Sequence, residues 1–371
     1  MIYLDNAATT RPNQEALDGA VAALTNYYNP SSLHAGGTEA ARAIERAREE
    51  ILALIAPRQF ELVFTSCGTE ADNQVIFSSV KRGNFVTTAG EHAAVYECAK
   101  ELKNRGVEVR FAPLQKDGSV EAEAVLSLVD DNTALVSVIH VNNETGAINP
   151  VSQIARFVKQ KNSRTLFMSD GVQAFGKIDF SLTDDIDFYT VSAHKIGGLK
   201  GTGAIFKRKS KNLSPYLYGG GQEGSKRSGT ENVCGILAFA SAAKRRFSTL
   251  KEDAERILGL RELFFDGLDK SLFTRLSPAS GTPYILTVAC PRLRGEVLVR
   301  MLSDKGVYAG TGSACSSKHP YSRVMEACGV DKKLLDGVLR FSFSWENSEE
   351  EIKEAIQIVN ALARELYGRM G

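Results

Sequence analysis

The sequence has no CxxC pair, no long run of charge of one sign and no apolar stretch of membrane-spanning length. Its six cysteines, at 67, 98, 234, 290, 315 and 328, are scattered. That spacing is a poor disulfide framework and a poor zinc site, so reduced thiols in a cytoplasmic protein without a metal are expected. The 45 basic and 44 acidic residues nearly cancel, to a formal charge of +1. Neither a nucleic-acid footprint nor a polybasic membrane patch is indicated. The opening Met-Ile-Tyr-Leu-Asp-Asn carries no positively charged leader ahead of an apolar core, and no membrane partner is expected. Low-complexity linkers and internal repeats are missing too.

What is there is ordinary globular composition, 43% hydrophobic and 24% charged. A chain of 371 residues exceeds what one core usually supports, so a large domain with a smaller one beside it is expected. Apolar runs at Leu62–Thr65, Phe85–Thr88, Val107–Ala112, Ala134–Val141, Thr165–Met168, Phe188–Val191 and Ala204–Phe206 read as strands. Helical patterns alternate with them at Thr38–Ile55, Ala93–Arg105 and Ser152–Lys161, the last with Ser152 as its cap. This alternation predicts an α/β fold with a mainly parallel central sheet sandwiched by helices. From about Asn232 the pattern changes to a long helical stretch reaching Leu268, then short strands (Ile285–Ala289, Leu339–Phe343) and terminal helices. We expect a large domain over residues 13–250, and a smaller α+β domain from residues 1–12 with 251–371 that carries a mobile cysteine loop.

Ligands of such sheets collect beyond the carboxyl ends of the strands. Ser192-Ala193-His194-Lys195 follows a strand and precedes a glycine-rich segment. A buried ammonium is costly, and a Schiff base with a cofactor aldehyde removes the cost. Upstream, Ser169-Asp170-Gly171-Val172-Gln173 also ends a strand. A carboxylate there suits the ring nitrogen of a pyridine-based cofactor, and Gln173 its phenolic oxygen. Thr65-Ser66-Cys67-Gly68-Thr69-Glu70 runs from a strand into a helix whose N-terminus favours a phosphate. Glu91-His92 follows another strand, and an imidazole can stack on a flat ring.

The order of these segments along the chain resembles the cysteine desulfurases, in the branch serving iron–sulfur cluster assembly and nitrogen fixation, within the class V aminotransferase group of fold-type I pyridoxal-phosphate (PLP) enzymes. The resemblance covers nearly the whole chain. It includes Tyr3-Leu4-Asp5-Asn6-Ala7-Ala8-Thr9-Thr10, Asn29-Pro30-Ser31-Ser32-Leu33-His34 and His140-Val141-Asn142-Asn143-Glu144-Thr145-Gly146. It continues through Gly219-Gly220-Gly221-Gln222-Glu223, Arg227-Ser228-Gly229-Thr230-Glu231-Asn232, Gly312-Ser313-Ala314-Cys315-Ser316 and Leu339-Arg340-Phe341-Ser342.

The resemblance implies that Lys195 carries PLP and moves the Cα proton. It implies that Asp170 pairs with the ring nitrogen, Gln173 with the phenolic oxygen, and that His92 stacks on the ring as part of the catalytic set. Gly68, Thr69, Ser192 and His194 would hold the phosphate, with Thr230 reaching the neighbouring site of a homodimer. Asn143 and Arg340 would bind the carboxylate of L-cysteine, a task that suits the planar fork of arginine. Cys315 would take the sulfur as a persulfide, releasing alanine, and pass it to an acceptor or scaffold protein. The remaining thiols at 98, 234, 290 and 328 read as structural.

Three departures stand out. Cys67 occupies a position where the family usually has a small residue, and Leu199 one where it commonly has proline. The segment after Cys315 is shorter than in the best-known members, which bears on the acceptor. A selenocysteine lyase, a class V aminotransferase on the same scaffold and a non-catalytic assembly subunit remain open. Aminotransfer needs no mobile cysteine, and a non-catalytic subunit should have lost Lys195 or Cys315.

Overall fold

The computed structural model describes residues 1–312 and 321–369. In chain order its strands are β1 (Ile2–Tyr3), β2 (Phe60–Thr65), β3 (Asn84–Thr88), β4 (Val109–Ala112), β5 (Thr133–Ser137), β6 (Leu166–Asp170), β7 (Phe188–Ser192), β8 (Gly203–Arg208), β9 (Thr274–Arg275), β10 (Ile285–Ala289), β11 (Val307–Tyr308) and β12 (Val338–Ser342). Among the described residues, a seven-stranded sheet has the order β2-β8-β7-β6-β5-β3-β4. Strand β8 pairs antiparallel with both β2 and β7, while the other neighbours pair parallel. Six strands therefore end at one edge and β8 begins there. The expected mainly parallel α/β architecture is the one found.

Burial follows the periodicities that define the elements. Strands β3, β7 and β10 are buried along their whole length, as befits strands covered on both faces. The helix Ala35–Ile55 buries Ala40, Ile44, Ala47, Ile51 and Ile55, a stripe at three-to-four spacing. It starts three residues before the expected Thr38 because His34 Nδ1 accepts from Gly37 N and caps it. The helix Val151–Lys161 is preceded by Pro150 at the cap position, so Ser152 lies inside the helix and does not cap it. The long stretch to Leu268 is two helices, Val233–Ser248 and Leu250–Gly267. They part at Thr249, whose hydroxyl accepts from Arg245 and donates to Asp253.

Two hydrophobic cores flank the main sheet, drawn from residues 16–243. A separate core gathers Ile2, Leu4 and Ala7 with residues 257–363 around β10 and β12. The N-terminal segment joins these regions. Strand β1 pairs with β11, and Thr10 and Asn13 donate their backbone N–H to His194 O and Gly197 O. No helix of the described residues is long and apolar enough to cross a membrane.

Candidate active site

Strands β2, β3, β6 and β7 deliver their following residues to one edge. After β2 the helix Gly68–Ser79 begins at Cys67, whose side chain makes no cap hydrogen bond. Glu70 instead accepts from Ser66 N at 2.8 Å and forms an ion pair with Arg227 at 2.8 Å. A Cβ on Gly68 would lie 2.9 Å from Val172 Cγ2 and 3.8 Å from Ser192 Cβ. The helix N-terminus thus abuts the ends of both β6 and β7. Thr69 is exposed beside it. Ser192 Oγ is buried and has no hydrogen-bond partner among the described residues.

Asp170, the last residue of β6, is buried and accepts from Val172 N at 2.9 Å. Burial raises its pKa, and the neighbouring His92 and Lys195 act in the opposite direction. A cationic ring nitrogen would favour the ionised form further. His92 caps the helix Ala93–Asn104, its Nδ1 accepting from Ala94 N at 3.2 Å. Burial lowers its pKa, so the imidazole is neutral with its proton on Nε2.

Lys195, just past β7, donates to Ala7 O at 2.6 Å and Ala8 O at 2.7 Å. Gln173 is buried and donates to the same Ala7 carbonyl at 2.8 Å. His194 Nδ1 lies 3.1 Å from Thr9 Oγ1. Burial, with Lys195, Lys177 and Lys200 nearby, pushes its pKa down to about 3, so it meets an anion as a neutral hydrogen-bonding group. Arg340 is buried on β12, donating to Asn143 O at 2.9 Å and to Asp5 Oδ1 at 2.9 Å. Its Nε has no partner among the described residues.

These contacts draw Gly68, His92, Asp170, Gln173, Ser192, His194 and Lys195 to one edge and join Asn143 to Arg340, with Thr69 next to Gly68. Thr230 is exposed on the loop before the helix Val233–Ser248, and Cys315 lies outside the described residues. Sequence reasoning assigned no role to the Ala7 and Ala8 carbonyls, to Asp5, or to the buried Lys177, which donates to Gln173 Oε1 at 2.8 Å. Glu144 was also passed over. It is held by Ser322, and burial raises its pKa. The partners of Ala7, Ala8, Asp5 and Glu144 lie far away in sequence, so no local pattern marks them, and Lys177 meets the distant Ala7 only through Gln173.

The residues fit a pyridine-ring phosphate. An uncapped helix N-terminus and an orphaned buried hydroxyl suit the phosphate, and a buried carboxyl suits the ring nitrogen.

Residues 2–354 match the aminotransferase class-V family. The cysteine desulfurase of Trichormus azollae is 34% identical over 99% of this chain and 94% of its own length. The cysteine desulfurase NifS of Azotobacter vinelandii is 34% identical over 98% of this chain and 93% of its own. The chain belongs to the cysteine desulfurase family. Among solved structures, a NifS-like protein superposes on this desulfurase with a TM-score of 0.92 at 35% identity, covering 98% of this chain and 99% of that one. A NifS-like protein from Rickettsia africae gives a TM-score of 0.89 at 28% identity, covering 98% and 99%. As a family member this desulfurase is a PLP-dependent enzyme.

Proposed function

We propose that this enzyme removes sulfur from L-cysteine with Lys195 as the cofactor-bearing amine and Cys315 as the sulfur acceptor. PLP, when bound, supplies the electron sink that lets the Cα proton and then the Cβ–S bond be given up. Lys195 would carry the cofactor and move that proton. The Ala7 and Ala8 carbonyls hold its Nζ in place.

Asp170 as carboxylate would pair with the ring nitrogen and favour its protonated form, and Gln173 would donate to the ring oxygen. The neutral His92 offers a flat face for stacking. Gly68 and Thr69 at the helix start, with Ser192 and His194, hold the phosphate. Asn143 and Arg340 hold the substrate carboxylate. The Cys315 thiolate attacks the substrate sulfur, forming an S–S bond as the Cβ–S bond breaks. The electron pair stays on Cβ, which takes a proton, Lys195 returns a proton to Cα to complete alanine, and Cys315 keeps a persulfide for an acceptor protein.

The observation that carries this reading is the junction at Gly68, where an uncapped helix, Val172 and the unpartnered Ser192 hydroxyl meet. It supports an anion site beside Asp170, at the same sheet edge as Lys195. The test is alanine and sulfide release from L-cysteine, by this enzyme and by Cys315→Ala. Stoichiometric alanine from the parent and almost none from the variant sustains the roles. Equal release by both would remove Cys315 from the chemistry, and release by neither would favour an aminotransferase.

The same reading includes a homodimer in which Thr230 reaches the neighbouring site. Leu17, Val21 and Leu24 project outward at three-to-four spacing from the helix Gln14–Thr25, and Tyr27, Leu33 and Tyr218 are exposed as well. Apolar side chains in that number support a second copy as their cover. It also includes the division into residues 13–250 and residues 1–12 with 251–371, supported by the separate cores. Delivery of the persulfide sulfur to iron–sulfur cluster assembly and a cytoplasmic setting complete it, the latter on the scattered thiols.

A further inference from the structure

Lys177 is 2% exposed, on the turn that follows Asp170, and the reaction described above gives it no task. Burying an amine costs free energy, so its retention calls for a local return. Its Nζ donates to Gln173 Oε1 at 2.8 Å, while Gln173 Nε2 donates to Ala7 O at 2.8 Å. Both partners dictate the same amide orientation. A carbonyl oxygen only accepts, and an ammonium only donates. With its oxygen turned to Lys177 and one N–H on Ala7, Gln173 has a second N–H to present elsewhere.

We propose that Lys177 is a positioning residue that locks the Gln173 amide so that its NH2, and not its carbonyl, faces the ring oxygen of the cofactor. This rests on the assignment of Gln173 to that oxygen. Without Lys177 the amide is free to turn over and set oxygen against oxygen. The groups facing Lys177 are Lys195, Arg246 and Arg340, together with the Tyr284 ring, whose centroid lies 5.7 Å from Nζ. Burial and these cations push its pKa well below that of an ordinary lysine; a neutral amine still has an N–H to donate to Oε1, and the Ala7 carbonyl, which can only accept, holds the NH2 side of the amide in either charge state.

The experiment is a pH titration of the visible cofactor band in the PLP-loaded enzyme, in Gln173→Ala, in Lys177→Met and in the double variant. An N–H donated to the ring oxygen stabilises its anion and lowers the pH at which the lysine-bound chromophore loses its proton. Both single variants are therefore expected to raise the band's midpoint, by about one pH unit. The double variant should match Gln173→Ala.

A midpoint that moves in Gln173→Ala but not in Lys177→Met overturns the positioning role. Additive shifts overturn it too, since they would mean that Lys177 acts through its own charge. A midpoint unmoved in Gln173→Ala overturns the ring-oxygen contact itself, and the positioning role with it. Should Lys177→Met fail to fold, Lys177→Gln keeps an N–H donor. A midpoint near the parent's then sustains the proposal, and one at the Gln173→Ala value overturns it.

Discussion

The two edges of the main sheet treat buried charge in opposite ways. At the amino edge, charges are brought in as pairs. Asp187, just before β7, is 1% exposed, accepts from Phe167 N at 2.8 Å, and is bound by Lys159 and by Lys211. Asp130, before β5, follows the same pattern at a partly exposed position, taking hydrogen bonds from Asn84, Asn132 and Arg110, which hold its pKa down at about 2. At the carboxyl edge, carboxyl groups are buried without a salt bridge of their own among the described residues, two of them within reach of the Asp170 charge. Asp170, Asp72 and Glu91 are all buried, and all have raised pKa values. Burial is the first cause in each case, and the Asp170 charge adds to it at the other two.

The difference teaches where each edge spends its folding energy. Paired charges at the amino edge hold strands in register. The carboxyl edge tolerates desolvated groups, the condition under which a bound cofactor and substrate interact strongly with protein charges.

The contrast breaks most visibly at Asp170. Asp170→Asn keeps the shape and removes the charge, and turnover of L-cysteine should fall by roughly 10²–10³-fold while the thermal midpoint stays level or rises. A large loss of stability with activity intact would place Asp170 with the structural pairs. Lys159→Met should do the reverse. It leaves Asp187 short of a partner in a buried site and should cost about 3 kcal/mol in denaturant unfolding, with the cofactor band unchanged.

The smallest effect sharpens the comparison through pH. Burial pushes the Glu91 pKa up to about 8 from its ordinary value of 4.5. The folded protein keeps this proton while the unfolded chain has released it. Stability therefore falls as pH rises from 4.5 towards 8 and levels off above. Glu91→Gln removes that slope, so its thermal midpoint should gain on the parent by about 2 °C between pH 5 and pH 8. A parallel course for the two proteins would mean that Glu91 is ionised in the fold.

Much of the main sheet was legible because each strand is a short apolar run closed by small or polar residues. Leu62–Thr65 and Phe85–Thr88 sit inside β2 and β3, and Ile285–Ala289 coincides with β10. The expected strand Ala134–Val141 stops at Ser137, because His140 to Asn149 fold back on themselves, His140 O accepting from Asn149 N. The antiparallel direction of β8 could not be read, since an apolar run looks alike in either sense. The break at Thr249 was hidden for a related reason. The apolar pattern passes through it, and only the pairing of Thr249 with Arg245 and Asp253 marks the stop.

At the site, Lys195, Asp170 and His92 were legible because each lies at the end of a strand or within four residues of it. Lys177 was not, since its meaning comes through Gln173 and Ala7, and Ala7 lies 166 residues from Gln173. Backbone carbonyls leave no trace in sequence at all.

The central claim is a covalent bond between one amine and the cofactor. The PLP-loaded enzyme should be reduced with borohydride, digested, and the modified peptide sequenced by mass spectrometry. The pyridoxyl group is expected on Lys195. Finding it on Lys177 or any other lysine, or finding none while the protein binds PLP, would contradict the account.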